Sequence, residues 1–318
     1  MQRHIVIISP ATANANNGNW RTASRWAQFL GEHYRVTLLD AWNGVECEAL
    51  VALHARRSSS SVAAFNAAFP DRPAILVLTG TDLYRDIKTD VDAQRTLELA
   101  SRLVVLQEAG LSELDAHLRG KACVIYQSAA RLDPAMCKDG GNVVITMIGH
   151  LREEKDPLTF MRAAALVKSP AVRLTHIGGA LDPALGAQAL ATQQTAPRYR
   201  WLGDQPHAAA RETLRQSHLM VIASKMEGGA NVIIEAVTSG VPVLASDISG
   251  NRGMLGADYA GYFPLGDSEA LALMIDRSVT DPAFYSRLKT QCDARAALFS
   301  PQRERAAVLQ LVDNLVPH

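Results

Sequence analysis

The sequence contains twelve short apolar runs that are separated by segments with helical periodicity. The runs are HIVIIS (4–9), YRVTLLD (34–40), ALVALH (49–54), AILVLT (74–79), RLVVLQ (102–107), KACVIY (121–126), VVITMIG (143–149), VRLTHIGG (172–179), YRWLG (199–203), LMVIAS (219–224), PVLAS (242–246) and GYFPL (261–265). Continuous Val, Ile and Leu without polar alternation is typical of parallel strands that are covered on both faces. Strands and helices that alternate in this way predict a doubly wound α/β fold.

A segment without periodicity, residues 127–142, separates the first six runs from the last six. It contains Pro134, Gly140 and Gly141, which is typical of a linker. The sequence therefore predicts two Rossmann-like domains that face each other across a cleft, over residues 1–135 and 140–299. The tail, residues 300–318, reads as an amphipathic helix that crosses back to the first domain.

Composition excludes several classes of function. Lys plus Arg and Asp plus Glu both number 32, so no basic excess indicates a nucleic-acid partner. The four cysteines are scattered and form no C-x-x-C pair, so we expect reduced thiols in a cytoplasmic protein. No apolar run approaches the ~20 residues that a membrane-spanning helix needs, and the first run is too short for a secretion signal. The sequence does not indicate an oligomeric state.

The segment EGGANVIIEAVTSGVPVLAS, residues 227–246, has the pattern of a phosphate-binding helix start. The first amides of a helix have no intrahelical partner and carry the positive end of its dipole, and small residues let a phosphate approach them. Glu235 follows inside the helix, where a carboxylate can accept hydrogen bonds from two adjacent ribose hydroxyls. The alternative is a plain turn followed by a surface acid. We predict that the donor-binding residues here are Gly228, Gly229, Ala230, Asn231, Val232 and Glu235.

This segment resembles the signature of the retaining, sucrose-synthase-like GT-B glycosyltransferases, whose pattern is E-G-F-G followed by E-A-x-A-x-G-x-P-V. The resemblance implies a GT-B fold in which the second domain binds the nucleotide-sugar. It implies that Glu227 binds the donor sugar, that Glu235 binds the ribose and that the helix amides hold the diphosphate. Gly229 and Ala230 replace the Phe-Gly of the family, and SGNRG (249–253) replaces a common Gly-Gly-x-x-Glu.

A second segment, MIGHLREEKDP, is similar to the family's G-R-L-x-x-E-K-G, whose Arg and Lys bind the donor diphosphate. Lys155 matches the Lys. His150 stands where the Arg is expected, and Arg152 is the other candidate for that charge. The resemblance thus implies a catalytic set of Glu227, Lys155, Arg152 and His150. It also implies that Gly178, in HIGGA, and Gly203, at the end of YRWLG, lie on the nucleotide side of the site.

In the first domain, polar and cationic residues follow the predicted strands. The loop ATANANNGNW is rich in amide donors before a helix, which suits an anion, although a polar turn with an Asn19 cap is an alternative. Arg56 follows the third strand, and an arginine can bind a phosphate through two hydrogen bonds. We predict that the first domain binds the acceptor through Thr12, Asn14, Asn16, Asn17, Gly18, Arg21, His54, Arg56, Arg57, Thr79, Thr81 and Asp82.

Together, ATANANNGNW, LHARRS, TGTDLY and EGGANVIIEA resemble the selenosugar synthases of bacterial selenoneine biosynthesis. The resemblance implies formation of a C–Se bond between selenophosphate and the anomeric carbon of UDP-N-acetylglucosamine or UDP-glucose, with a 1-selenosugar and UDP as products. We expect no cofactor and no metal, because no D-x-D pair stands at a strand end. Two alternatives stay open: an ordinary glycosyltransferase with a sugar, lipid or small-alcohol acceptor, and a non-catalytic two-lobed protein that binds nucleotide-sugars. A dinucleotide oxidoreductase would need G-x-G-x-x-G after a first strand, and the sequence has none there.

Overall fold

The structure is a computed structural model that describes residues 2–10, 18–133, 135 and 141–316. Contacts within the chain define two units. The first comprises Met1–Ser128, Glu227–Gly229 and Ser300–His318, and the second comprises Ala129–Met226 and Ala230–Phe299. The division into an acceptor domain over 1–135 and a donor domain over 140–299 stays a prediction.

The first unit contains a parallel sheet with the order β2-β1-β3-β4-β5-β6. Its strands are β1 (His4–Ile8), β2 (Arg35–Leu39), β3 (Ala49–Leu53), β4 (Ala74–Leu78), β5 (Arg102–Val105) and β6 (Ala122–Val124). Its helices are α1 (Gly18–Leu30), α2 (Ser59–Ala68), α3 (Ile87–Thr89), α4 (Val91–Leu99) and α5 (Ala116–Arg119), and a π-helical turn spans Asp82–Asp86. The strand order reverses between β1 and β3, so the loops after these strands lie at the switch point where doubly wound folds bind ligands.

The second unit contains a parallel sheet with the order β12-β11-β10-β7-β8-β9. Its strands are β7 (Val143–Ile148), β8 (Val172–Ile177), β9 (Tyr199–Trp201), β10 (Leu219–Ile222), β11 (Val243–Ser246) and β12 (Tyr262–Phe263). Its helices are α6 (Pro157–Leu166), α7 (Pro183–Thr195), α8 (His207–Arg215), α9 (Asn231–Thr238), α10 (Ser249–Leu255), α11 (Ser268–Thr280) and α12 (Pro282–Arg295). All twelve predicted runs form strands, and the predicted α/β class with two Rossmann-like domains is confirmed.

The last helix, α13 (Pro301–Asp313), belongs to the first unit, as predicted for the tail. Alternate residues of β1 point to opposite faces of the sheet, and Ile5 and Ile7 share their face with Val308 and Val312 of α13. Each buried valine contributes about 1.5–3 kcal/mol to folding, so the helix completes this core. In the described part of the chain, every helix is too short or too polar to cross a membrane.

A buried carboxylate fixes the position of α13. Glu304 is 1% exposed, and it accepts hydrogen bonds from the guanidinium of Arg25 at 2.6 and 3.0 Å and from the indole N–H of Trp26 at 2.8 Å. The Ser128 hydroxyl, at the end of the first main segment of this unit, donates to the same carboxylate at 2.5 Å. A buried charge is tolerated when it is paired and hydrogen-bonded in this way.

Candidate functional site

In the second unit, the loops after β7, β8 and β10 lie at one edge of the sheet. β7 pairs with β8 on one side and with β10 on the other, which makes it the switch point of this sheet. The carboxyl ends of parallel strands meet at the same edge, where open α/β sheets bind their ligands. The predicted donor residues follow these strands, so the fold brings most of them to this edge.

The loop after β7 carries three of the four residues predicted to be catalytic, and it is held by its neighbours. The ring nitrogen Nδ1 of His150 accepts from the backbone N–H of Gly179 at 3.2 Å. A short 3₁₀ turn, Glu153–Lys155, ends the loop. Lys225 donates two hydrogen bonds to this turn. The Lys225 amine donates to the Glu153 carboxylate at 3.1 Å, and its backbone N–H donates to the Glu154 carbonyl at 2.9 Å.

Arg152 and Lys155 differ in their surroundings. The Arg152 side chain is 43% exposed, and its Nε lies 4.0 Å from the Glu154 carboxylate. The methylene stem of Lys155 covers Gly149, since a Cβ placed there would lie 3.6 Å from the Cγ and Cδ of the lysine. Of the two candidates for the charge of the family's Arg, Arg152 carries a guanidinium, whereas the His150 ring accepts a hydrogen bond at Nδ1.

Two glycines on this edge are required by geometry. Gly178 has φ +151°, and a Cβ there would lie 2.0 Å from the carbonyl oxygen of Gly149. Gly203 has φ +68°, a left-handed conformation that only glycine adopts without strain. Gly178 therefore allows the loop after β8 to pass closely by the loop after β7, whereas Gly203 is required by its backbone conformation alone.

The amino end of α9 lacks a side-chain cap. Its N-cap residue is Ala230, which makes no side-chain hydrogen bond to the first turn. An aspartate or serine side chain caps α4, α7, α11, α12 and α13, whereas α2, α6, α8 and α10 have no side-chain cap either. Alanine is among the poorest residues at this position, so the first amides of α9, including those of Asn231 and Val232, suit an anionic ligand as their partner.

Glu235 lies in the second turn of α9 and is only 6% exposed. One of its carboxylate oxygens lies 2.7 Å from Nε2 of His207, the first residue of α8. His207 is not among the site residues predicted from the sequence. It follows the loop after β9, so a survey of every strand end would have included it.

The residues Glu227–Gly229 pack with the first unit, although they precede α9 in the chain. A Cβ at Gly228 would lie 2.1 Å from the carbonyl oxygen of Thr79, and a Cβ at Gly229 would lie 2.7 Å from Cβ of Leu106. Glu227 itself is 8% exposed. The predicted sugar-binding residue therefore lies next to the carboxyl end of β4, where predicted acceptor residues are found.

The predicted acceptor residues are only partly described. Thr12, Asn14, Asn16 and Asn17 lie outside the described residues. Gly18 begins α1 and its carbonyl accepts from the Thr22 hydroxyl at 2.8 Å, whereas Arg21 lies half-buried in the first turn.

Asp82 was predicted to face a ligand, and the structure places it in the interior instead. It is 0% exposed. One oxygen accepts from the backbone N–H groups of Thr79 and Gly80, each at 2.9 Å, and from the Thr79 hydroxyl at 3.1 Å. The other accepts from the backbone N–H of Ala55 at 2.9 Å. The carboxylate thus joins the loops after β3 and β4, because three backbone donors at these strand ends need an acceptor.

His54, directly after β3, adopts a left-handed backbone conformation with φ +73° and is buried. Its Nδ1 accepts from the backbone N–H of Arg57 at 3.4 Å, so the ring proton is on Nε2, which lies 3.2 Å from the Thr81 hydroxyl. Burial lowers the pKa of His54, against the opposing charge of Asp82, and the ring is therefore neutral near pH 7. Backbone strain at a non-glycine residue is concentrated at functional sites.

A buried carboxylate holds two arginines beside His54. Asp86 is 4% exposed. One oxygen lies 3.1 Å from Nε of Arg56, and the other accepts from Nε of Arg85 at 3.1 Å. The two arginine side chains are 45% and 50% exposed. The hydrogen bond fixes one edge of the Arg85 guanidinium, whereas Arg56 pairs with the same carboxylate by charge, without the geometry of a hydrogen bond. Two cations therefore lie side by side at the surface of this strand edge.

Arg85 and Asp86 were not predicted. They lie in the segment TGTDLYRD, but the π-helical turn Asp82–Asp86 decides which of its side chains point inward. Such turns are rare and often occur at functional sites. Among the described residues, no group of three His, Cys, Asp or Glu side chains has the arrangement of a metal site.

The fold is that of GT-B glycosyltransferases. Over 98% of this chain it superposes on the whole of Anabaena HepE, solved in complex with UDP and glucose, with a TM-score of 0.78 and 16% identity. Over 99% of both chains it superposes on sucrose-phosphate synthase from Thermosynechococcus elongatus, with a TM-score of 0.79 and 16% identity. Because the sequence identity is only 16% in both cases, the structural similarity shows only that the fold is shared.

The family model "Glycosyl transferases group 1" matches residues 132–295, and the chain belongs to this family. The chain is 29% identical over 219 residues to D-inositol 3-phosphate glycosyltransferase of Nocardia farcinica. The alignment covers 60% of this chain and 48% of that protein. A 26% identical relative of the same name, from Rhodococcus erythropolis, matches over 68% of this chain and 51% of its own length. The chain thus spans about half the length of these curated relatives.

Proposed function

We propose that the protein transfers a glycosyl group from a nucleotide-sugar to a phosphate-bearing nucleophile, and that this nucleophile is selenophosphate. The observation that carries the proposal is the arginine pair on buried Asp86, which lies at the strand edge against which the loop Glu227–Gly229 packs. Two guanidinium groups beside one carboxylate match the charge of a phosphate, and each can donate two parallel hydrogen bonds to it. The name of the Nocardia relative, a D-inositol 3-phosphate glycosyltransferase, also supports a phosphate-bearing acceptor.

On the donor side, each residue has a defined task. The Glu235 carboxylate accepts from the ribose hydroxyls, and the uncapped first amides of α9 bind the diphosphate. Lys155 stabilises the negative charge that develops on the diphosphate as it leaves, with the Arg152 guanidinium as a second positive group or the Nε2–H of His150 as a hydrogen-bond donor. Glu227 binds the donor sugar. The donor is UDP-N-acetylglucosamine or UDP-glucose, and HepE, with a similar fold, was solved with UDP and glucose.

The transfer exchanges one bond at the anomeric carbon. The selenium of selenophosphate supplies the electron pair for the new C–Se bond, and the C–O bond to the diphosphate breaks with its electrons on UDP. Water then cleaves the P–Se bond, which gives phosphate and the 1-selenosugar. Arg56 and Arg85 hold the phosphoryl group and orient the selenium, so that the reacting atoms meet in a defined geometry. An ionised selenium has no proton to lose, and the reaction therefore needs no general base.

A second candidate is an ordinary transfer to the hydroxyl of a phosphorylated polyol, which the similarity to D-inositol 3-phosphate glycosyltransferases favours. It uses the same donor residues and the same phosphate contacts. It differs in its nucleophile, because a hydroxyl must lose a proton during transfer.

The donor half is tested by calorimetric titration with UDP. We expect Glu235→Ala to weaken UDP binding at least tenfold, which corresponds to the roughly 1.5–3 kcal/mol of hydrogen bonds to a charged group. Unchanged UDP affinity in this variant would remove the ribose assignment.

The acceptor half is tested by steady-state kinetics of Arg56→Ala and Arg85→Ala. Each should raise the KM for the phosphate-bearing acceptor by about ten- to a hundredfold and leave UDP affinity unchanged, because one charge-assisted phosphate contact is lost. Lys88→Ala is a matched control, since Lys88 is a half-exposed cation of the same unit that pairs with Glu113 at 2.6 Å. Equal effects of all three substitutions would show that only the general surface charge matters.

A further inference from the structure

His207 and Glu235 form an asymmetric pair in the second unit. The distance between Nε2 of His207 and the Glu235 carboxylate oxygen is 2.7 Å. The Glu235 side chain is 9% exposed and that of His207 is 43% exposed. The histidine reaches the carboxylate from the solvent side, at the start of α8, directly after the loop that contains Gly203.

The contact with His207 is compatible with a ligand on the same carboxylate. A carboxylate has two oxygens with about four acceptor positions, so it can accept from His207 and from other donors at the same time. The histidine also restricts the rotation of the carboxylate, which otherwise would have to be ordered when the ligand binds.

We propose that His207 is a positioning residue for the nucleotide, which orients the Glu235 carboxylate so that it accepts both hydroxyls of a ribonucleoside diphosphate. The inference rests on the proposed donor role of Glu235. His207 acts through Glu235, and it therefore contributes to the choice of ribose over deoxyribose. A purely structural role would instead stabilise the fold and affect all nucleotides equally.

A double-mutant cycle between protein and ligand separates these roles. The dissociation constants of UDP and 2′-deoxy-UDP are measured by calorimetry for the unmodified protein, for His207→Ala and for His207→Gln, whose amide can still donate to the carboxylate. We expect His207→Ala to weaken UDP binding about tenfold, in line with a lost hydrogen bond to a charged group, and 2′-deoxy-UDP binding less than threefold. His207→Gln should restore most of the affinity for UDP.

The first unit offers a matched control. His117 and Glu98 form a pair with the same 2.7 Å separation, but both side chains are more than half exposed. His117→Ala removes an equivalent imidazole and should leave the affinity for both nucleotides unchanged.

Each outcome supports or overturns the inference. An equal loss of affinity for UDP and 2′-deoxy-UDP, or no loss for either, overturns it. If His207→Ala does not fold, the same ratio is read from His207→Asn, whose amide is too short to reach the carboxylate. Failure of the unmodified protein to bind UDP would contradict the proposed function itself, and thus differs from failure of this inference.

Discussion

Asp82→Asn is the substitution that best separates a structural role from a ligand-binding role in the first unit. The sequence predicts that Asp82 binds the acceptor, whereas in the structure its two oxygens accept four hydrogen bonds from the loops after β3 and β4. The oxygen of the substituted amide can keep the bonds from Thr79 and Gly80. Its NH₂ group then faces the backbone N–H of Ala55, which loses its acceptor.

The expected cost follows from these bonds. Losing one hydrogen bond to a carboxylate costs about 1.5–3 kcal/mol, and the remaining three become weaker because the charge is gone. We therefore expect Asp82→Asn to lower the free energy of unfolding of the first unit by about 2–4 kcal/mol. Asp82→Ala would leave three backbone N–H groups without an acceptor, which approaches the ~5–15 kcal/mol that stabilises a whole domain.

Urea denaturation followed by tryptophan fluorescence measures this cost. Three of the four tryptophans, Trp20, Trp26 and Trp42, are in the first unit, so the substitution Trp201→Phe in the background makes the signal report on that unit. In this background, the free energy of unfolding is obtained by linear extrapolation with and without the substitution Asp82→Asn. Arg57→Ala, at an exposed position two residues after Ala55, is the control and should change it by less than about 0.5 kcal/mol.

Two results would refute the reasoning. A loss of stability below about 0.5 kcal/mol would show that the carboxylate contributes little to the first unit. A raised acceptor KM with unchanged stability would instead restore Asp82 to the ligand-binding role that the sequence predicts.

Three further predictions concern the second unit, the last helix and metals. His176 is fully buried and burial lowers its pKa to about 4, so the unfolded chain takes up a proton between pH 6.5 and 4 that the folded chain does not. Stability should thus fall by about 2 kcal/mol between pH 7 and pH 5, and urea titrations should show this part of the fall disappear in His176→Asn. Glu304→Gln should lower the melting temperature, because the partly buried ion pair with Arg25 loses its negative charge at a cost of about 1.5–3 kcal/mol. An unchanged melting temperature would contradict the importance of this contact. Glycosyl transfer should persist in EDTA, and loss of activity that Mg²⁺ restores would refute the metal-free mechanism.

Local sequence patterns were sufficient to predict the architecture. Runs such as ALVALH bury both faces of a strand, and β3 is buried at all five positions, so apolar content alone indicated a strand. The apolar stripe of the tail likewise predicted α13, and the sequence of α9 predicted a helix that begins with small residues. The strand ends were predicted less well, since GYFPL forms only the two-residue strand β12.

The site contacts depend on distant parts of the chain, and local patterns do not encode them. His207 and Glu235 are 28 residues apart, and they meet only because α8 and α9 pack together. The inward turn of Asp82 and the pairing of Asp86 with Arg56 depend on a π-helical turn that no sequence pattern indicated. The glycines Gly228 and Gly229 were predicted for a phosphate approach, yet the structure also requires them for close packing against Thr79 and Leu106.

The measurement that tests the central claim most directly is a comparison of acceptors with one donor. The protein is incubated with UDP-N-acetylglucosamine or UDP-glucose together with selenophosphate, thiophosphate, phosphate or D-inositol 3-phosphate, and UDP release and product mass are followed. We predict UDP release with selenophosphate and a product with the mass and isotope pattern of a selenium-bearing sugar, together with loss of this turnover in Arg56→Ala at low acceptor concentration. UDP release and a glycosylated product with D-inositol 3-phosphate, and none with selenophosphate, would contradict the selenosugar assignment.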